Sequence, residues 1–290
     1  MKVSFFTIVL NGMPFLPYLI ESLIDVAHEW FFIEGAVLPQ HCTNHCNMPP
    51  AWSYDPKTFL STDGTTQLLD RYEKDNKKIK IIRKYNWWDG KIEMCNSFLD
   101  QISGDLLWEV DSDEFWKKED VLKTVELIRS TPETTCVRFY AKYFVGNTNT
   151  VVDETGLGNA SWDWFRAWPW KKGYIFTAHE PPTLVLRKKI GPFFKAYDLK
   201  KMNLIDREDT KSQDIFLYHY AYVAESQIKF KEAFYPNFQH FYTQWLKMKK
   251  DLEDHIYKRV EDYWGQYGNY FKGQLLEYKG DHPLKNVSIR

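Results

Sequence analysis

The first 130 residues alternate short apolar runs with segments of helical period, and this alternation narrows the possible folds more than any other feature of the chain. Residues 3–10 form an apolar run fit for a strand buried on both faces. Residues 14–27 follow with Leu16, Leu19, Ile20, Leu23 and Ile24 on one helical stripe. Residues 30–33, 79–82 and 105–110 read as further strands, and residues 64–75, 91–102 and 121–129 as further helices. Asp63 is expected to cap the second helix, and Gly104 to close the third. Strands and helices in this order imply a doubly wound, mainly parallel α/β sheet.

The second half reads differently. Residues 135–145, 162–168, 174–178 and 183–187 are strand-like and lie too close together for intervening helices, so antiparallel additions are expected. Residues 224–264 turn helical, and residues 270–290 are polar. The expected organisation is an α/β half over residues 1–120, a second half of the same domain over 121–222, and a C-terminal helical extension over 223–290.

Composition excludes several function classes. The 290 residues carry 38 basic and 39 acidic side chains, a net charge of -1, so no global field draws the chain to nucleic acid or to an anionic membrane. No run of 18 apolar residues exists, so no membrane span is expected. The apolar N-terminus is interrupted by Asn11, Gly12 and Pro14 and reads as a first strand rather than a signal segment. Four scattered cysteines do not make a disulfide framework, and reduced thiols in the cytoplasm are expected. Residues 37–60 hold four prolines and two His-Cys pairs, with His41, Cys42, His45 and Cys46 too cramped for one tetrahedral zinc; a loop is expected there.

The sharpest chemical signal is the run from Leu106 to Glu114, in which a hydrophobic strand delivers Asp111 and Asp113 at its C-terminal end. In open α/β sheets ligands bind outside the carboxyl ends of the strands. Two convergent carboxylates repel each other unless a cation neutralises them, and oxygen ligands suit Mg²⁺ or Mn²⁺ held together with substrate phosphates. Asp111 and Asp113 share a side if the chain stays extended. Trp162, Trp164, Arg166 and Trp168 would likewise share one strand face, either as a wall for a sugar or as a packed sheet face.

Four segments in order give this chain a family likeness: residues 3–12 ending in Asn11-Gly12, the run Ser61-Thr62-Asp63-Gly64-Thr65, the stretch from Asn86 through Gly90 to Cys95-Asn96, and Gly104-Asp105 leading to Asp111-Ser112-Asp113. Together they resemble a glycosyltransferase of the GT-A fold, family 2 type, over about residues 1–120. The resemblance implies transfer of a sugar from a nucleotide-diphosphate donor to a glycan or other hydroxyl acceptor, with inversion and with Mn²⁺ or Mg²⁺. It implies that Asp111 contacts ribose or metal-bound water, that Asp113 ligates the metal, and that a later histidine, His219, adds a ligand. Asn11, Glu34, Lys91 and Asn96 fall among the expected donor contacts, Glu34 accepting a hydrogen bond from the base or ribose in place of the usual aspartate. Two positions depart from the family pattern: Glu34 stands where an aspartate is usual, and Cys95 where an arginine precedes the asparagine.

The resemblance also implies an acidic base for the acceptor hydroxyl in the second half of the chain. Glu180 is the choice, beside His179 and before Pro181-Pro182, with Asp163 and Asp153 as alternatives. Only one of His179 and Glu180 is expected to face the donor. Trp164, Arg166 and Trp168 are the acceptor-side candidates. Two rival readings share features with this one. A sugar-phosphate nucleotidyltransferase has similar metal logic but opens with a basic glycine-rich loop, absent at Asn11-Gly12-Met13-Pro14. A non-catalytic carbohydrate-binding protein would suit the tryptophans but not the paired aspartates.

Overall fold

The computed structural model describes residues 1–39, 46–159, 163–190 and 193–284. Its N-terminal half runs β1 (Val3–Val9), α1 (Leu16–Leu23), β2 (Ala27–Glu34), α2 (Thr65–Asp75), β3 (Ile79–Arg83), α3 (Lys91–Asn96), β4 (Leu106–Glu109), β5 (Glu114–Phe115) and α4 (Lys118–Ser130). Strand β1 pairs in parallel with β2 on one side and β4 on the other, and β3 extends the sheet beyond β2. The order 3-2-1-4 places the topological switch between β1 and β4, where ligands gather in such sheets. Every second residue goes to the same face: Phe5, Trp30 and Trp108 join one core, Phe6, Phe31 and Leu107 the other. The sheet is therefore buried on both sides, as the continuous apolar runs require.

Strands β6 (Cys136–Phe139), β7 (Ala141–Val145), β8 (Thr150–Val152), β9 (Trp164–Pro169), β10 (Tyr174–His179), β11 (Pro182–Ile190) and β12 (Phe193–Asp198) follow. After them come β13 (Leu204–Ile205), α5 (Arg207–Ser212), β14 (Leu217–Tyr222), α6 (Glu225–Phe234), α7 (Phe241–Glu253), α8 (Glu261–Trp264) and β15 (Leu275–Glu277). Strand β9 runs antiparallel between β4 and β6, and β13 closes that edge, giving a seven-stranded sheet. Strands β10, β11 and β12 form an antiparallel meander, and β15, β8, β7, β14 and β5 a third sheet. The α/β class, the mainly parallel sheet, the antiparallel additions and the C-terminal helices are those expected from the sequence.

Several details differ from expectation. Helix α1 is shorter than residues 14–27 because β2 already begins at Ala27, in register with Val3. The third helix ends at Asn96 and is followed by a 3₁₀ turn, Leu99–Gln101. Asp63 does not cap α2; Gly64 takes that place at a φ of 98°. Asp63 instead accepts from Met13 N at 2.9 Å and Thr65 N at 3.0 Å. Ser61 Oγ accepts from Asn11 N and Thr65 Oγ1 from Gly12 N. Three alternate side chains of the Ser61–Thr65 run thus hold three successive amides of the loop after β1. Residues 40–45, with His41, Cys42 and His45, lie outside the described residues; the rest of the 37–60 stretch holds only a 3₁₀ turn (Ala51–Ser53) and isolated bridges. Among the described residues no helix is long and apolar enough to cross a membrane.

Candidate active site

A cavity of about 560 Å³ opens at the C-terminal end of β4. Asp111, Asp113, His219, Glu180, His179, Lys91, Lys231, Arg166 and Trp164 line one part of it. Beyond β4 the chain turns, with Glu114 N bonding Asp111 O at 3.0 Å, and both aspartates still face the cavity. Strand β14 fixes the next piece: His219 pairs with Glu114 in β5, and Tyr220 N donates to Asp113 O at 2.8 Å. That register sets His219 Nε2 3.7 Å from Asp113 Oδ1. Helix α6 supplies the other neighbours. Gln227 Nε2 donates to Asp113 Oδ2 at 2.9 Å, and Lys231, one turn on, faces the same cavity. Burial alone would raise the Asp113 pKa, but His219 and Lys231 outweigh it and bring the carboxyl down to about 2.

Arg166 organises the floor. It is 2% exposed, donates through Nε and Nη2 to Glu114 at 2.9 and 2.6 Å, and lies 3.2 Å from Asp111 and 3.7 Å from Glu109. A backbone irregularity aims it there. Strands β6 and β9 pair Val137 with Ala167 but Arg138 with Phe165, leaving Arg166 as an extra, bulged residue. The same bulge breaks the expected alternation. Trp164 faces the cavity and stacks edge-on against His219 at 5.1 Å, whereas Trp168 is fully buried in the opposite layer against Phe176. Trp162 lies outside the described residues.

Glu180 follows β10. Lys91, at the start of α3, donates to its Oε1 at 2.6 Å. Desolvation opposes the charged form, yet Lys91 and His179 hold the Glu180 carboxyl well below the usual range. The His179 imidazole is disfavoured as a cation by burial and by Lys91, but contacts with Glu109, at 3.1 Å, and Glu180 leave its pKa raised. Both residues line the cavity, contrary to the expected either-or: β10 ends at His179, which pairs with Pro182, so Glu180 lies in the turn beyond the strand and escapes its alternation. Cys95 Sγ, a Glu109 oxygen and a His179 nitrogen also lie within 4.8 Å of one another beneath the floor. With Arg166 beside the same carboxylate, that trio already has its counter-charge.

The other expected site residues fall elsewhere. Glu34 is fully buried, accepting from Ser61 N and Thr66 Oγ1 and pairing with Arg83 Nε at 2.8 Å. Asn11 Nδ2 donates to Ser53 O and its Oδ1 accepts from Thr62 N. Asn96 bonds both the N–H and the C=O of Phe176, clamping β10 onto α3. Asp163 pairs with Arg138 and Asp153 accepts from Gln274 N, both away from the cavity. Sequence reasoning missed Lys231 and the far wall, built by Tyr235, Phe238, Tyr267, Tyr270 and Phe271. The available signal was a lysine set among aromatics at helical spacing, from Phe230 to Phe238.

Residues 60–191 match the sequence model of glycosyl transferase family 2, a region that holds Asp111, Asp113, Arg166 and Glu180. No curated protein matches the chain. Among solved structures, S. aureus TarS residues 1–349 is 17% identical over 58% of this chain and 47% of that one, with a TM-score of 0.39. The same protein with UDP-GlcNAc is 18% identical over 58% of this chain and 45% of its own, with a TM-score of 0.40. A mannosyltransferase from Pyrobaculum calidifontis, in complex with GDP-Man and Mn²⁺, is 12% identical over 58% of this chain and 44% of its own, at a TM-score of 0.38. The chain spans less than half the length of these structures.

Proposed function

We propose that this chain, with its glycosyl transferase family 2 region, transfers a sugar from a nucleotide-diphosphate donor to an acceptor hydroxyl with a divalent cation, inverting the anomeric centre. The observation that carries this reading is the convergence of Asp111, Asp113 and His219 with two lysines and one further carboxylate in a single cavity. The donor set suits a hard divalent ion: two carboxylates, and an imidazole whose Nε2 lies 3.7 Å from Asp113 Oδ1. Asp111, Asp113 and His219 would hold Mn²⁺ or Mg²⁺, which supplies stabilisation for the charge that builds on the leaving nucleotide diphosphate.

The protein's own groups complete the chemistry. Lys231 makes no ion pair within 4 Å among the described residues and faces the carboxylates, so its charge is open to donor phosphates. Lys91 is shared: it neutralises Glu180, and a phosphate arriving beside it competes for that ammonium. Glu180 then regains basicity and accepts the proton of the attacking hydroxyl. Arg166 holds Asp111 in place instead of touching an acceptor, and Trp164 with the aromatic far wall offers flat faces for sugar rings. Asn11 and Glu34 shape the Ser61–Thr66 turn, and Asn96 positions β10, with Lys91 and Asp111 left to meet the donor. The buried thiols Cys95 and Cys136 suit the cytoplasm.

Isothermal titration of UDP and GDP, with Mn²⁺ and with chelator, tests the reading. At least one nucleotide is expected to bind tenfold or more tightly with metal, and Asp113→Asn is expected to abolish that gain. Equal affinity with and without metal overturns it.

A further inference from the structure

The β10–β12 meander has two unlike ends. Its root, at Glu180 and Pro182, is part of the cavity wall. From Pro182 to Ile190, β11 runs nine residues, and eight steps of about 3.3 Å carry its tip about 26 Å from that root. At the tip Phe193 is 75% and Phe194 71% exposed, the most exposed large hydrophobic side chains among the described residues. They stand on opposite faces, since Phe193 pairs with Ile190 and Phe194 with Lys189. Residues 191–192 lie outside the described residues.

Cations surround this pair. Arg187, Lys188, Lys189 and Lys195 are all exposed, and Lys171 and Lys172 are exposed in the turn before β10. None of the four on the hairpin makes an ion pair among the described residues, although Lys188 and Lys195 lie over the Tyr197 ring, at 5.8 and 5.1 Å. Lys188 and Lys195 sit directly opposite each other across the strands, an arrangement that destabilises an isolated hairpin. The nearest acid on the two strands, Asp198, lies at the root end opposite Val185.

We propose that this hairpin tip docks the protein on an anionic lipid bilayer, with Phe193 and Phe194 entering the interface and the four cations meeting lipid headgroups. The charge complement selects this occupant. Two tips paired about a two-fold axis would bring lysine against lysine, which argues against a second copy of the chain. An acidic macromolecule would answer the lysines but leave two phenylalanines, on opposite faces of one ribbon, without a common apolar partner. A bilayer receives both faces at once, because a projecting tip is surrounded by headgroups and acyl chains on all sides. The near-zero charge of the whole chain does not oppose this, since juxtamembrane attraction acts within about a Debye length. The inference does not depend on the reaction proposed above.

Vesicle flotation of the full chain tests it, with phosphatidylcholine alone against a 70:30 mixture with phosphatidylglycerol, at moderate salt. Partition onto the mixed vesicles is expected to be at least tenfold higher. Phe193→Ser with Phe194→Ser is expected to lower it at least tenfold, and Lys188→Gln with Lys189→Gln and Lys195→Gln about a hundredfold. The comparison of the two vesicle compositions uses the unaltered protein, so it holds whether or not a variant folds. No binding to either vesicle, or equal binding to both, overturns the proposal. Binding that needs the lysines but survives loss of both phenylalanines also overturns it, and leaves an acidic macromolecule as the ligand.

Discussion

The cavity floor and the hairpin tip both concentrate charge, and they treat it in opposite ways. On the floor, Glu109, Asp111 and Glu114 surround a single buried Arg166, each within 4 Å. At the tip, Lys188 faces Lys195 with no carboxylate beside either. The dielectric explains the contrast. A buried charge without a partner costs several kcal/mol, so Arg166 and Glu114 can be buried on the floor only beside each other. Exposed like charges are screened by water, so the tip tolerates its imbalance at small cost. Charge pairing is thus a condition of folding on the floor, while at the tip folding does not call for the charges at all.

Substitutions can sharpen or break this contrast. The largest effect is expected from Glu180→Gln. The amide keeps the shape but is a poor proton acceptor, so sugar transfer should fall by about 10²–10⁴-fold while nucleotide affinity is kept or rises, because Lys91 loses its competing carboxylate. Retained turnover in steady-state assays would remove Glu180 from the role of base.

Arg166→Met comes next. It leaves three carboxylates facing one another without their cation, and denaturant unfolding should register a loss of about 3–5 kcal/mol at neutral pH. A loss under 1 kcal/mol would mean that the floor is better solvated than its burial implies.

A smaller, pH-dependent effect is expected at His179. Its folded pKa is raised, so the stability it contributes is fully present below its unfolded pKa of about 6.5 and is lost as pH rises through the folded value. The stability gap between the wild type and His179→Gln should therefore be widest near pH 6 and narrow toward pH 9. A gap that widens with pH would show that burial, not Glu109, governs this imidazole.

The smallest change belongs to the tip. Lys195→Gln removes one of two opposed cations, and thermal unfolding should show a gain of a few tenths of a kcal/mol or no change. A clear loss would indicate that the Tyr197 ring, 5.1 Å from the Lys195 ammonium, outweighs the repulsion from Lys188.

How much of this was legible beforehand varies with the kind of information. The apolar runs that became β1, β2 and β4 and the stripe of α1 stood in the sequence, because burial on both faces of a sheet and on one face of a helix needs a fixed period. So did the aspartates after β4, since strand ends in such sheets are where ligands meet the chain. The Ser61–Thr65 run was legible as a motif but not as a clasp: only the fold shows its side chains holding the amides of residues 11–13. Glu34 illustrates the same limit, since nothing local announces that Arg83 and Thr66 enclose it.

What the sequence determined by itself is the α/β class, the order of its elements through α4 and the place where acidic chemistry emerges, because these follow from periods and residue types along a short stretch of chain. The tertiary structure alone decided the rest. A one-residue bulge sent Arg166 to the carboxylates and Trp168 to the far layer; the end of β10 at His179 left Glu180 in a turn against the same cavity. Helix α6, more than 100 residues after Asp113, delivered Gln227 and Lys231 to it. The physical reason is common to all three. Side-chain direction along a strand reverses with a single inserted residue, and contacts between distant segments depend on how whole layers pack, which no local period records.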